Sequence, residues 1–408
     1  MVWRETGIMD ERMKFVAACL LDEETMTALC DRFGISRKTG YKWLERYRRL
    51  GPEGLEDLPR APLVHGRATA ADVVARIVGE KAAHPAWGPK KIISRLKREM
   101  PFGVWPAVST AGEILKRHGL VGVRRRRWRA AGNGPWPRPE AANAVWTGDH
   151  KGWFRTRDGV RCEPLTVMDA ASRYLLALEA TGSTSEAETW PVFERLFRAH
   201  GLPDRFRSDN GPPFAAAGVT GLTPLSVRFI KLGIALERIK PGKPQQNGSH
   251  ERFHLTMLPL AQAPEANQRA QALAFDAFRR EYNEERPHEA LAMAAPAEHY
   301  RNSCRAMPAT VPEPVYPVEA AVRRVRSNGA IKWQGGEIYV SATLAGEPVA
   351  VEETETGEWK LRFYAHSLGY IDLKHMRLVR RNAGQSAPAN GAHQTDASGE
   401  ELSPIYPV

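Results

Sequence analysis

Three acidic residues stand where a chain could bring carboxylates together. Asp149 lies inside a run that reads as a strand, "AVWTGDHKGWFRT", between Gly148 and His150. Asp209 ends a second short strand, "DRFRSDNG", directly before a turn. Glu251 falls near the start of a helix that follows "PGKPQQNG", a stretch of turn-makers and amides. In open α/β sheets, functional groups gather at the carboxyl ends of parallel strands. Two short aspartates on strands and a longer glutamate on a neighbouring helix could therefore form a cage of oxygens. Mg²⁺ suits such a cage, because it takes oxygen ligands in near-octahedral geometry and keeps positions open for water and phosphate. Two ions about 4 Å apart can activate an attacking oxygen and stabilise the leaving one in an in-line displacement at phosphorus. Each carboxylate alone has an ordinary explanation as a cap, turn or surface residue, and Asp-Asn-Gly is commonly just a turn. The ordered set, with a suitable element under each member, carries the expectation. Asp169, in "VMDAASRY", reads instead as a turn-former that bonds to Ser172 or Arg173.

The charge balance of the whole chain agrees with a polyanionic partner: a formal +11 at pH 7 and a pI near 9.6 over 408 residues. Much of that charge is concentrated. Arg124, Arg125, Arg126 and Arg127 precede Trp128 and Arg129, and Gly/Pro-rich sequence follows, so this is a basic linker rather than a folded element. Such a cluster supplies salt-sensitive affinity for phosphates without sequence choice. No run of eighteen apolar residues exists, so no membrane span is expected. The opening "MVWRETGIMDERMKF" lacks the apolar core of a secretory signal. Four scattered cysteines with no CxxC pair point to reduced thiols, and with the charge to a cytoplasmic, nucleoid-associated protein.

Around these residues the chain divides into segments. Residues 1–55 read as helices, with "MTALCDRFGISRKTGYKWLERYRRLG" giving helix, Gly-containing turn and a second helix N-capped by Ser36. In a helix-turn-helix the second helix projects its first residues into the major groove, here Arg37, Lys38, Thr39, Tyr41 and Lys42. Two packed helices with a solvated basic face would read the same way. Residues 56–122 form a further helical unit, either a second DNA-binding module or a scaffold, and 123–143 are the basic linker. From 144 to 302 strands and helices alternate, which predicts a mixed sheet flanked by helices. The helix from about Ser185 has Ser185 and Glu188 spaced as a capping box. Residues 303–381 are rich in β-branched and aromatic runs between glycines, for which a small β-barrel is the expectation. The segment 382–408 is poor in large apolar residues and reads as a disordered tail.

"RSDNGPPF", "IKPGKPQQNGSHER", "YNEERPHEAL" with "PAEHY" after it, and "FGISRKTGYKWLERY" resemble signatures of the DDE insertion-sequence transposases. Those proteins carry a retroviral-integrase-type core, and the resemblance covers nearly all of residues 1–381. It implies an RNase-H-like fold and a metal-binding triad carried onto Asp149, Asp209 and Glu251, with two Mg²⁺ for which Mn²⁺ may substitute. It further implies double-stranded DNA as partner, both element ends and target, and a homodimer or higher oligomer on that DNA. Lys243 would then contact a phosphate and Asn247 would brace Glu251 or touch DNA. His250 and His254 would support the site rather than act as bases. The 41 residues between Asp209 and Glu251 exceed the usual spacing of the wider integrase group. Two other readings compete: a DNA-binding regulator whose core has lost catalysis, and an RNase-H-type nuclease acting on RNA–DNA hybrids.

Overall fold

The computed structural model describes residues 7–58, 68–122, 139–239 and 248–380. The chain falls into two compact units, residues 1–70 and 71–408.

The first unit holds α1 (Ile8–Leu21), α2 (Met26–Arg32) and α3 (Arg37–Leu50). The Ser36 hydroxyl accepts from the Thr39 backbone N–H at 3.2 Å, the N-cap read from the sequence. Helices α2 and α3 cross at Gly40, where any side chain would collide: a Cβ would lie 2.6 Å from Cys30 Sγ and 2.9 Å from Phe15 Cζ. Phe15, Leu29, Trp43, Leu44 and Leu55 close the small core around that crossing.

The second unit begins with α4 (Ala71–Ala83), α5 (Pro89–Glu99) and α6 (Val108–Arg117), packed around Ile77, Trp87, Ile92, Leu96 and Leu115. The sheet that follows contains β1 (Val145–His150), β2 (Phe154–Arg155), β3 (Arg161–Asp169) and β4 (Leu175–Thr181). After α7 (Glu186–His200) come β5 (Arg205–Ser208), α8 (Pro224–Lys231) and β6 (Ala235–Arg238). Strand β3 lies between β4 and β1, antiparallel to both, while β1, β5 and β6 run parallel; β2 adds a short pairing at the start of β3. This is the mixed sheet that the alternation predicts.

Helices cover both faces. On one, α7 and α8 bury Phe193, Phe197, Leu225 and Phe229 against Trp146, Leu165, Val167 and Phe206. On the other, α9 (Gly248–Gln262) and α10 (Gln268–Arg280) bury Phe253, Met257 and Phe275 against Cys162, Met168, Leu175 and Leu178. Period-two alternation therefore turns Leu165 and Val167 to one side of β3 and Thr166 and Met168 to the α9 side. One π-helical turn, Glu281–Glu285, follows α10. Within it the buried Asn283 pairs with the unpaired edge of β4: Leu175 N donates to its Oδ1 at 2.8 Å, and its Nδ2 donates to Leu175 O at 2.9 Å. A short α11 (Pro296–His299) ends this region.

Two expectations need correction. The Ser185 side chain makes no capping bond at the start of α7. Glu188 instead turns back to the preceding loop, accepting from the N–H groups of Gly182 and Ser183 and from Ser183 Oγ. The C-terminal strands also do not close into a barrel. β7 (Ala321–Arg324), β10 (Pro348–Glu353), β11 (Trp359–Phe363), β12 (His366–Asp372) and β13 (Arg377–Val379) form one open antiparallel sheet. β8 (Ala330–Trp333) and β9 (Gly336–Tyr339) form a separate hairpin, and no pairing among the described residues joins the edges. Closure is unnecessary because Leu222, with Val227 and Ile230 of α8, covers the apolar face that a barrel would have buried on itself.

Candidate active site

The register of the sheet places two of the three acidic residues. Val145, Trp146 and Thr147 of β1 pair in parallel with Arg205, Phe206 and Arg207 of β5, and two further residues bring Asp149 abreast of Asp209. Alternation along β1 sends Trp146 into the α7 side of the core and turns Thr147 and Asp149 toward α9. Gly148 sits between them because the Phe206 ring passes beneath it. A Cβ at that position would stand 2.4 Å from Phe206 Cζ. Asp209 is held by a turn in which Gly211 N donates to its Oδ1 at 3.2 Å and Asn210 Nδ2 donates to Ile239 O at 3.0 Å. Glu251 lies in the first turn of α9 and is exposed.

Asp149 feels the charge of both other acids. Burial, then the negative charge of Asp209, pushes the Asp149 carboxyl up to about 7, with a smaller push from Glu251; a hydrogen bond with the His150 backbone and the charge of Lys151 pull the other way. A carboxylate disfavoured by neighbouring carboxylates gains from a cation, and the all-oxygen donor set fits a hard divalent ion. Among the described residues, no three His, Cys, Asp or Glu side chains converge closely enough to enclose an ion. Residues 240–247, which include Lys243 and Asn247, lie outside those described, and α9 with Glu251 begins immediately after them at Gly248.

Beneath Asp149 is a polar cluster that the sequence does not disclose. Thr166 stands opposite Asp149 in the β1–β3 register, and its hydroxyl donates to the Asp149 carbonyl at 2.8 Å. The same Oγ1 meets His250 Nε2 at 2.5 Å and His254 Nε2 at 3.1 Å. His250 Nδ1 is 2.9 Å from Thr147 Oγ1, and His254 Nδ1 is 3.8 Å from Asp149 Oδ2. Burial holds both imidazoles below their ordinary range, His254 at about 3 with help from the charge of Lys151. The i, i+4 spacing of the histidines marks a shared helical face. Their partners depend on cross-strand register, which no local signal carries.

Asp169 is the turn-former its context suggests. Its Oδ2 accepts from Ser172 N at 2.7 Å and Ser172 Oγ at 2.6 Å, and its Oδ1 from Asn143 N at 2.8 Å. On α3, Arg37, Lys38, Tyr41 and Lys42 are exposed, but Thr39 is committed to the cap, with Oγ1 2.9 Å from Ser36 Oγ. Arg124, Arg125, Arg126 and Arg127 fall outside the described residues.

Comparison with known families gives a consistent order along the chain. Residues 11–62 match a helix-turn-helix domain and 39–115 a homeodomain-like domain. Residues 139–244 and 232–296 match integrase core domains, and 320–378 match the C-terminal domain of IS481 family transposases. An uncharacterized protein of insertion element IS407 from Burkholderia multivorans is 30% identical over 199 residues, 45% of this chain and 66% of that protein. An uncharacterized Caenorhabditis elegans protein is 29% identical over 171 residues, 41% of this chain and 12% of that one. The chain thus spans less than two thirds of the length of either relative.

Among solved structures, the HTLV-2 integrase catalytic core domain in complex with magnesium covers 40% of this chain and 98% of its own, at 14% identity and a TM-score of 0.30. The simian T-cell lymphotropic virus intasome in complex with PP2A regulatory subunit B56 gamma covers 67% and 97%, at 14% identity and a TM-score of 0.35. Helix-turn-helix, integrase-core and transposase C-terminal segments follow one another along the chain, an order of parts similar to that of insertion-sequence transposases built on an integrase-type core.

Proposed function

We propose that the chain is a transposase that binds the ends of its insertion sequence, cuts a DNA strand there, and joins the freed end to target DNA. The observation that supports this most directly is the placement of Asp149 on β1 beside Asp209, which directly follows the parallel neighbour β5, with Asp149 driven up to about 7 by burial, Asp209 and Glu251. Asp149, Asp209 and Glu251 are the residues that would hold two Mg²⁺, or Mn²⁺ in their place. When bound, such ions lower the pKa of an attacking water or hydroxyl and offset charge on the phosphate.

The chain's own residues do the rest. The carboxylates set where the scissile phosphate can sit, and the exposed Arg37, Lys38, Tyr41 and Lys42 present donors to the DNA end. In cleavage the water oxygen forms a new bond to phosphorus, the P–O3′ bond breaks, and a 3′-OH is released. In joining, that 3′-OH forms the new ester while the target's own P–O3′ bond breaks, so the number of phosphodiesters is conserved. No covalent link to protein is needed. Lys243, Asn247 and the arginines at 124–127 are proposed as DNA contacts or braces on sequence grounds alone, and two or more copies would assemble on paired ends.

Asp149→Asn, Asp209→Asn and Glu251→Gln should each reduce Mg²⁺-dependent cleavage and joining of end DNA to background while leaving end binding within a few-fold of wild type. Gel mapping of cut positions reads the first property and a mobility shift the second. Substantial joining by one variant removes that residue from the site. A wild-type protein that binds ends without cutting them favours the regulator, and preferential cutting of RNA–DNA hybrid favours the nuclease.

A further inference from the structure

We infer that Thr166 is a positioning residue for Asp149, and that His250 and His254 orient its hydroxyl for that task. The inference rests on the proposed reading of Asp149 and Glu251 as metal-holding residues.

The argument is a proton count. A threonine hydroxyl has one proton and two lone pairs. Thr166 Oγ1 lies 2.8 Å from the Asp149 carbonyl oxygen, which can only accept, so the proton goes there. The two imidazole nitrogens on the same oxygen, His250 Nε2 at 2.5 Å and His254 Nε2 at 3.1 Å, must then each present an N–H. That assigns the tautomer of His250. Its Nδ1 is left as an acceptor and takes the proton of the Thr147 hydroxyl at 2.9 Å, a shorter contact than the 3.3 Å from Thr147 Oγ1 to Met168 O. The result is a directed chain, Thr147 to His250 to Thr166 to Asp149, with a second donor arriving from His254.

Three elements meet at this oxygen. Thr147 and Asp149 are on β1, Thr166 is on β3, and both histidines are on α9. Helix α9 also carries Glu251, the neighbour of His250 in sequence. The hydroxyl therefore links the strand that carries one proposed ligand to the helix that carries another. Packing alone would not select it. Valine has nearly the same shape, suits a buried strand at least as well, and leaves no polar atom to satisfy. Thr166 and His250 are both fully buried, where polar groups are retained only when completely partnered.

Thr166→Val keeps the shape and removes the hydroxyl, and Thr166→Ser restores it. In the full-length protein, Thr166→Val should weaken Mn²⁺ binding, read by calorimetry without DNA, by about ten- to a hundredfold. The Mg²⁺ concentration for half-maximal end cleavage should rise in parallel, with end-DNA affinity unchanged and Thr166→Ser within about threefold of wild type. His254→Leu removes one of the two donors and should shift metal dependence the same way, by about three- to tenfold, so it serves even if Thr166→Val does not fold. A folded Thr166→Val protein with wild-type Mn²⁺ affinity overturns the inference, and so does a His254→Leu protein with unshifted metal dependence. If Asp149→Asn abolishes cleavage while either result holds, the positioning role alone falls. A wild-type protein that neither binds Mn²⁺ nor cleaves overturns both readings.

Discussion

At the scale of single residues, position along β1 explains more than residue type. Asp149 was recognisable from its place in a strand, but the need for glycine before it comes from across the sheet. With a Cβ at 148 lying 2.4 Å from the Phe206 ring, Gly148→Ala must displace either the buried ring or β1 itself. It should cost about 1–3 kcal/mol and reduce cleavage along with stability. Gly79→Ala is the matching control, since nothing lies within 4 Å of a Cβ there on the exposed side of α4; it should raise stability by about 0.5–1 kcal/mol. Thermal melts of the two variants read both effects, and equal shifts would refute this account of Gly148. Thr166 and the two histidines were not legible for a related reason. Their partners lie 17 to 103 positions away in sequence, and only strand register and helix docking bring them together.

At the scale of elements, local signals placed most helices and strands, and errors arose where side chains had a choice of partner. Glu188 had the spacing of a capping box, yet the loop at Gly182 and Ser183 offered its carboxylate three donors and won. The strand-rich C-terminal region was legible as β, but whether it closed depended on α8 arriving to cover it. The second helical unit had two readings, DNA-binding module or scaffold. The structure commits much of α5 to the core: Arg95 bonds to Glu285 at 2.7 Å and pairs with Glu80 and Glu99, and Arg98 bonds to Glu298 at 2.9 Å. His84, stacked on Trp87, bonds to Glu281 at 2.9 Å. Residues Ser109, Thr110, Glu113, Lys116 and Arg117 on α6 stay exposed. Arg95 is largely covered and holds three carboxylates together, so Arg95→Ala should cost on the order of 2–3 kcal/mol. Arg98→Ala breaks a half-exposed pair and should cost less than about 1 kcal/mol. Denaturant titration separates the two, and equal losses would mean that the Arg95 cluster is no more than a surface pair.

For the whole molecule, buried and half-buried histidines set the response to acid. His150, His200, His250, His254, His288 and His366 are all held below the ordinary histidine range, chiefly by burial. Above the unfolded value near 6.5 both states are neutral and these groups contribute nothing. Below it the unfolded chain takes up protons that the native state refuses, so stability falls as pH falls. Asp149, raised to about 7, and Asp169, also raised by burial, work in the opposite sense, but they are two groups against six. The melting temperature should therefore drop between pH 7 and 5. His366→Asn, in the C-terminal sheet and held at about 4, should flatten part of that drop. A melting temperature that is flat or rises over this range would contradict the assignment.

What the sequence by itself determined was the order of parts and which acidic residues are candidates for the site, because helix and strand periodicity, turn chemistry and clustered charge are local properties. The open C-terminal sheet, the docking of α5, and the hydroxyl held between two imidazoles under Asp149 were decided only by tertiary structure. Each of these depends on which distant surface arrives opposite a residue, and that is set by sheet register and packing rather than by the residue's neighbours in the chain.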